Sequence, residues 1–176
     1  MSIINYTIMV VALFIAVLFD ITRQRIPNIL TVSATLIGLT ITLMTSSISS
    51  LGSSLIGLIL GFALILPGYL LHTTGAGDVK LMAMVGCFLG YPLILSGFIS
   101  FVIAGLISAV VFTAYAHFAL GATTPFTRYG AMLLTFIRTG RVAYVPPKPG
   151  EAMGKRLPMA PAISFGAITA PFLQLP

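Results

Sequence analysis

The chain has 176 residues, of which 58% are hydrophobic and 7% are charged, and its formal net charge is +6. Ordinary soluble domains carry about 25% charged residues, so this composition excludes a water-soluble globular domain. Because a helical membrane crossing takes roughly 20 residues, the length accommodates five or six crossings and little else.

Six hydrophobic runs predict an all-α polytopic membrane protein, with one integral-membrane domain over residues 1–176. Backbone groups in lipid must bond within their own segment, so each run is expected to be a helix, kinked or ended near Pro67 and Pro92. The first run lacks a basic flank and a cleavage site, and we expect it to be retained. The Ser-rich residues 45–54 are expected to form a polar turn. The runs are 3–19, 29–44, 55–71, 79–96, 98–120 and 159–173.

Basic residues predict the orientation of these six helices. All nine follow odd-numbered runs, and cytoplasmic loops carry the excess of Lys and Arg, so both termini are expected outside and residues 121–158 in a cytoplasmic loop. Within this loop, residues 129–138 predict a short interfacial helix and residues 146–149 an irregular connector. The charge favours anionic lipid as a partner over nucleic acid, for which the chain has no recognisable motif.

Asp20 and Asp78 are the candidate catalytic residues from chemistry alone. The chain has three acidic residues, and only Glu151 lies away from a predicted membrane edge. The segment between Asp20 and Asp78 crosses outward and returns, so both carboxylates are expected on one face. Such groups cost roughly 2.5–3.5 kcal/mol near the membrane centre and less at its edge, so they need a function. Two facing carboxylates share a proton, as in an aspartic protease.

Two short segments carry a resemblance to a known family. Residues 20–28 read Asp-Ile-Thr-Arg-Gln-Arg-Ile-Pro-Asn, and residues 75–80 read Gly-Ala-Gly-Asp-Val-Lys. They resemble the Asp-(x)5-Ile/Leu-Pro-Asn and Gly-x-Gly-Asp-x-Lys elements of the type IV prepilin peptidases, which are GxGD-type membrane aspartic proteases. Residues 157–161 look like the Pro-x-x-Pro start of that family's last helix, so the resemblance extends over nearly the whole chain.

The resemblance implies an endopeptidase that cleaves the short basic leader of prepilin or pseudopilin substrates at the cytoplasmic face of the bacterial inner membrane. It implies no cofactor and no metal, and the oligomeric state stays open. Asp20 and Asp78 are implied as the catalytic pair. The glycines before Asp78 are expected to permit positive φ and close approach of the substrate backbone. The residues expected to bind substrate or shape the site are Gly75, Gly77, Lys80, Pro27 and Asn28.

One departure from the family concerns its second activity. Longer members also methylate the new amino terminus, and they carry a cytoplasmic region with zinc-binding cysteine pairs between the first two helices. Here residues 21–28 alone join those helices, and Cys87 is the single cysteine. Methyltransferase activity is therefore not expected, and the chain resembles the short peptidases of tight-adherence (Flp-type, or Tad) pili.

Asp20, Asp78 and Lys80 also have purely structural interpretations. Asp20 could pair with Arg23, Arg25 or a helix end, and Asp78 could be an acid favoured by a helix N-terminus. Lys80 could bind substrate or anchor its helix. The alternative functions are a small transporter or a proton or cation relay, and a non-catalytic subunit of a pilus machine. A relay spreads its groups through the bilayer depth, whereas these two acids are expected at one edge.

Overall fold

In the part of the chain that the computed structural model describes, helices are the only regular secondary structure. The described residues are 3–46, 48–70, 74–120, 126–140, 145 and 158–173. The predicted all-α class is therefore confirmed. In chain order the helices are α1 (Ile3–Arg23), α2 (Asn28–Thr45), α3 (Ile48–Leu70), α4 (Ala76–Leu89), α5 (Leu93–Leu120), α6 (Phe126–Thr139) and α7 (Ala160–Thr169), and α7 continues into a 3-10 turn (Ala170–Phe172).

Four helices have the length and apolar composition of a membrane span: α1, α2, α3 and residues Leu93–Phe118 of α5. By contrast, α4 has 14 residues and is about 21 Å long at 1.5 Å per residue, which is shorter than the roughly 30 Å hydrocarbon core. α7 is also apolar and has 10 residues. Four of the six predicted crossings are thus supported, while the remaining two and the orientation stay predictions.

The predicted boundary between the fourth and fifth hydrophobic runs is wrong. The sequence placed it near residue 97, but α4 ends at Leu89 and α5 begins at Leu93. Gly90 lies between them with φ at 69°, a left-handed conformation that ends a helix readily only at glycine. Pro92 follows and has no N–H to continue the helix. Pro67 lies inside α3 near its end.

The Ser-rich residues 45–54 do not form the predicted polar turn, because α3 begins at Ile48. The Ser53 hydroxyl donates a hydrogen bond to the Tyr91 carbonyl at 2.8 Å. The Tyr91 N–H in turn donates to the Ser53 carbonyl at 3.1 Å. These bonds attach the first turns of α3 to the connection between α4 and α5.

The link between α1 and α2 is also shorter than the predicted residues 21–28. α1 continues to Arg23, and α2 begins at Asn28. Gln24 ends α1 with φ at 51°, and its N–H donates to the Asp20 carbonyl at 3.0 Å. A left-handed residue at this position satisfies one of the last carbonyls of a helix while turning the chain away from its axis.

α4 is the central helix of the compact unit formed by residues Met1–Gly105 and Pro158–Pro176. It packs against α1, α2, α3 and α7, and its residues from Leu81 onward are almost all buried. The closest packing is with α3, where Gly57 lies against the Gly86 carbonyl and Gly61 against the Met82 carbonyl. Glycine pairs of this kind let helix backbones approach closely in a membrane bundle.

A second compact unit comprises residues Leu106–Leu157 and includes the end of α5 and all of α6. The helix predicted at residues 129–138 is confirmed as part of α6, and its Leu133, Leu134, Phe136 and Ile137 are exposed. Its place at the membrane surface stays a prediction. The connector predicted at residues 146–149 lies outside the described residues.

The contact between α3 and α4 leads to a stability prediction. In Gly57→Ala the new methyl group would overlap the backbone of Gly86 and Gly90, so we expect a loss of about 1–3 kcal/mol from overpacking. Gly52 lies in the same helix, and a methyl group added there would have nothing within 4 Å, so Gly52→Ala should retain wild-type stability.

Both variants can be followed in detergent by the thermal exposure of Cys87 to a thiol-reactive fluorogenic dye. Cys87 is the single cysteine of the chain and is buried in the folded protein. Equal midpoints for Gly57→Ala and Gly52→Ala would show that the glycine contact is not a determinant of stability.

Candidate active site

Asp20 lies in the last turn of α1 and is 7% exposed. Its Oδ2 accepts a hydrogen bond from the backbone N–H of Ala160 at 2.9 Å. Ala160 is the first residue of α7, where backbone N–H groups have no partner within the helix. The carboxylate therefore connects α1 to α7. It lies at the N-terminus of α7, which is the positive end of the helix dipole.

Asp78 is the third residue of α4 and is 9% exposed. Its Oδ2 accepts a hydrogen bond from the N–H of Gly75 at 2.8 Å. Gly75 is the N-cap residue of α4, so Asp78 reaches back over the first turn as the acid of a capping box does. Both acids are thus bound to N–H groups at helix N-termini, as their structural interpretations predicted.

The conformation predicted for the glycines before Asp78 is wrong. Gly75 has φ at −84°, which any residue adopts, and Gly77 lies within the first turn of α4. Their small size matters instead. A methyl group on Gly77 would lie 3.3 Å from Cβ of Ile26, and one on Gly75 would lie 3.2 Å from Oδ2 of Asp78. The glycines leave room for the carboxylate and for the link between α1 and α2.

A hydrogen bond joins the two short motifs found in the sequence. Nζ of Lys80 donates to Oδ1 of Asn28 at 2.8 Å, and both side chains are exposed. Asn28 begins α2, and Pro27 before it is the N-cap residue, whose carbonyl accepts from the N–H groups of Leu30 and Thr31. Lys80 therefore contacts Asn28 of the other motif, which the sequence did not predict.

These contacts bring both acid-bearing segments to one end of the helix bundle. Ile26 lies against Gly77, and Asn28 is bonded to Lys80, so the link that follows Asp20 packs on the first turn of α4. α1 also packs directly on α4, and both helices pack on α7. The elements that carry Asp20, Asp78 and Ala160 are therefore mutual neighbours.

A polar cavity of about 330 Å³ lies at the other end of the bundle, and it includes neither acid. It is formed by the end of α2, the start of α3 and the connection between α4 and α5, with Asn5, Thr42 and Ser54 among its lining residues. The residues that line this cavity include no carboxylate and no imidazole. Within the described residues, no group of three or more His, Cys, Asp or Glu side chains is arranged to hold a metal ion.

Sequence reasoning missed two features of the site. The sequence marks the start of α7 by Pro158 and Pro161, since proline is favoured in a first helical turn, but it does not show that Ala160 meets Asp20. The second feature is a buried hydroxyl group. Oγ of Ser164 in α7 is buried without a hydrogen-bond partner among the described residues. Residue Glu151 lies outside the described part of the chain.

Comparison with known proteins gives one match. The model of the type IV leader peptidase family matches residues 7–113, a region that contains both acids and both motifs. The match ends before α6 and α7, so Ala160 and Ser164 lie beyond it. No curated protein matches the chain, and no solved structure does.

The bond between Lys80 and Asn28 predicts energetic coupling between the two motifs. We expect Lys80→Met and Asn28→Ala each to lower the unfolding midpoint, and the double variant to lose less than the sum, with a coupling of about 0.5 kcal/mol or more. Thr45 lies at the far end of α2, so Lys80→Met combined with Thr45→Ala should be additive. Additive losses for Lys80 and Asn28 in the thiol-dye assay would contradict the coupling.

Proposed function

The chain belongs to the type IV leader peptidase family, and we propose that it is an aspartic endopeptidase in which Asp20 and Asp78 form the catalytic pair. The observation that carries this proposal is the packing of both buried acids at one end of the bundle, on segments tied by the Lys80–Asn28 bond. A shared end is what a carboxylate pair needs, because both groups must reach one peptide bond.

The chemistry follows from the different protonation states of a carboxylate pair. One carboxylate takes a proton from water, and the water oxygen bonds to the carbonyl carbon of the scissile peptide. The other carboxyl group is protonated and donates a hydrogen bond to the carbonyl oxygen, where negative charge develops. The C–N bond then breaks, and the leaving amine takes up a proton. Asp20 bonds the Ala160 N–H through Oδ2, so its Oδ1 can contact water or peptide.

Gly75, Gly77, Lys80, Pro27 and Asn28 are proposed to shape this site. Gly75 and Gly77 leave the space in which Asp78 and Ile26 lie. Pro27 is the N-cap residue of α2, and Asn28, the first residue of that helix, bonds Lys80 of α4. Their contacts support a role in holding the two acids at a constant separation, which acid–base catalysis by a pair requires.

The proposed substrates are prepilin-type proteins with a short basic leader, since the family cleaves leaders of this class. We place the site at the cytoplasmic face of the bacterial inner membrane, near anionic lipid. The supporting observation is that Arg23, Arg25 and Lys80 lie beside the two acids in sequence, at the ends of apolar helices, and such residues favour the cytoplasmic side. The short link from Gln24 to Pro27 supports the Flp-type form of the family.

The catalytic pair predicts non-additive losses of activity. Asn nearly preserves the shape of Asp and removes its acid–base function, so Asp20→Asn and Asp78→Asn should each reduce cleavage of a prepilin substrate by at least about a hundredfold. The double variant should be no slower than the slower single variant, because groups acting as one unit lose about as much singly as together. The pH profile of the wild-type cleavage rate should be bell-shaped, and its two apparent pKa values should belong to the pair and not to either residue alone.

The assay uses purified full-length enzyme in detergent or liposomes and follows the substrate by gel shift. Glu151→Gln is the matched control, since Glu151 is the third acid of the chain, and it should cleave at the wild-type rate. Robust cleavage by Asp20→Asn or Asp78→Asn, with an unfolding midpoint near that of wild type, would end the proposal of a catalytic pair.

The absence of paired cysteines predicts a product with a free amino terminus. Cys87 is the single cysteine and is buried in α4, so the zinc-binding region of the longer relatives has no counterpart here. We expect mature pilin released by the purified enzyme, with a methyl donor present, to have the mass of the unmethylated chain. A mass increase of about 14 Da, the mass that one methyl group adds in place of hydrogen, would overturn this expectation.

A further inference from the structure

A buried hydroxyl group in α7 makes no hydrogen bond within its own helix. Ser164 is 8% exposed, and its Oγ has no hydrogen-bond partner among the described residues. Ser and Thr hydroxyls within helices commonly bond a carbonyl of the preceding turn. Thr169 of the same helix does so, donating to the Phe165 carbonyl at 2.8 Å. The Ser164 hydroxyl is therefore buried and available to a partner outside its own helix.

The position of Ser164 follows from its distance along α7 from Ala160, whose N–H binds Asp20. Four residues advance a helix by about 6 Å and return to nearly the same face. The Cα–Cβ bonds of a helix tilt toward its N-terminus, so the Ser164 side chain leans back toward the end of α7 that carries Asp20.

The surface of α1 that precedes Asp20 has a small side chain. α1 and α7 run antiparallel, since the Tyr6 hydroxyl near the start of α1 bonds the Ile168 carbonyl at 3.5 Å, while Asp20 near its end bonds Ala160. One turn before Asp20 is Ala16, which is fully buried and presents only a methyl group. α1 thus has a carboxylate and a small side chain one turn apart, and it packs on the helix that carries the Ser164 hydroxyl.

We propose that Ser164 holds the hydrolytic water against Asp20, an inference that rests on the proposed peptidase function. A buried water needs two to four polar partners. Asp20 binds Ala160 through Oδ2, so its Oδ1 and the Ser164 Oγ are the two hydrogen-bond partners of this water. The water attacks the carbonyl carbon of the scissile peptide bond. In that step the water proton passes to Asp20 and the water oxygen bonds to the carbonyl carbon. Ser164 keeps its own proton and forms no covalent bond.

The test compares Ser164→Ala with Thr169→Ala, which removes a hydroxyl from the same helix whose bond is made within that helix. For Ser164→Ala we expect kcat to fall about tenfold, the equivalent of about 1.4 kcal/mol, with KM within about twofold of wild type. Its unfolding midpoint in the thiol-dye assay should be equal or higher, because no hydrogen bond within the protein is lost. Thr169→Ala should retain the wild-type kcat.

The possible outcomes separate this inference from the function on which it rests. The role of Ser164 would be overturned if Ser164→Ala kept the wild-type kcat. It would also be overturned if the fall in kcat were accompanied by an equal loss of thermal stability. A raised KM with unchanged kcat would also overturn it, because the hydroxyl would then bind the peptide and not the water. Asp20→Asn is measured in parallel. If that variant is inactive while Ser164→Ala is normal, only the Ser164 proposal fails, whereas activity in Asp20→Asn removes the peptidase site itself.

Discussion

A carboxylate buried in an apolar helix bundle must receive hydrogen bonds, and this requirement organises one end of the molecule. The bond from Ala160 to Asp20 joins residues 140 positions apart in the chain. It satisfies an acid on α1 and an unpaired N–H at the start of α7 together, so neither group is left buried without a partner. Asp78 receives its hydrogen bond from the N–H of Gly75, which is close to it in the chain. The Asp20 bond is one of the contacts that position α7, and with it Ser164.

The second constraint is the short central helix. α4 packs against four other helices, and its glycine contacts with α3 leave no room for a methyl group at Gly57, Gly61 or Gly86. Because helices of a membrane bundle gain stability mainly from close packing, this contact fixes the position of α4 along α3. Asp78 lies in its first turn, so the same contact also fixes the position of one of the two acids relative to α3.

The sequence was sufficient for the helical class and for the two motifs, because hydrophobic runs and rare acids stand out in so apolar a chain. It failed where the decisive groups have no hydropathy signal. Gly90 ends α4 through its positive φ inside a continuous hydrophobic run, and Ser53 lies within α3, where its hydroxyl bonds Tyr91. Ala160 was missed for a different reason, since its backbone N–H, and not its side chain, contacts Asp20.

Helix capping alone does not account for the choice of aspartate at both positions. Ser, Thr and Asn accept a helix N–H about as well as Asp does, and none of them carries the desolvation cost of a carboxylate in a membrane bundle. The chain nevertheless has two of its three acids here. Lys80, close to Asp78 in the same helix, donates to the neutral amide of Asn28. Unlike the side chains of Ser, Thr and Asn, a carboxyl group can take up a proton and release it again. In the proposed function, the N–H groups hold each acid in place while its carboxyl group exchanges that proton with water and peptide.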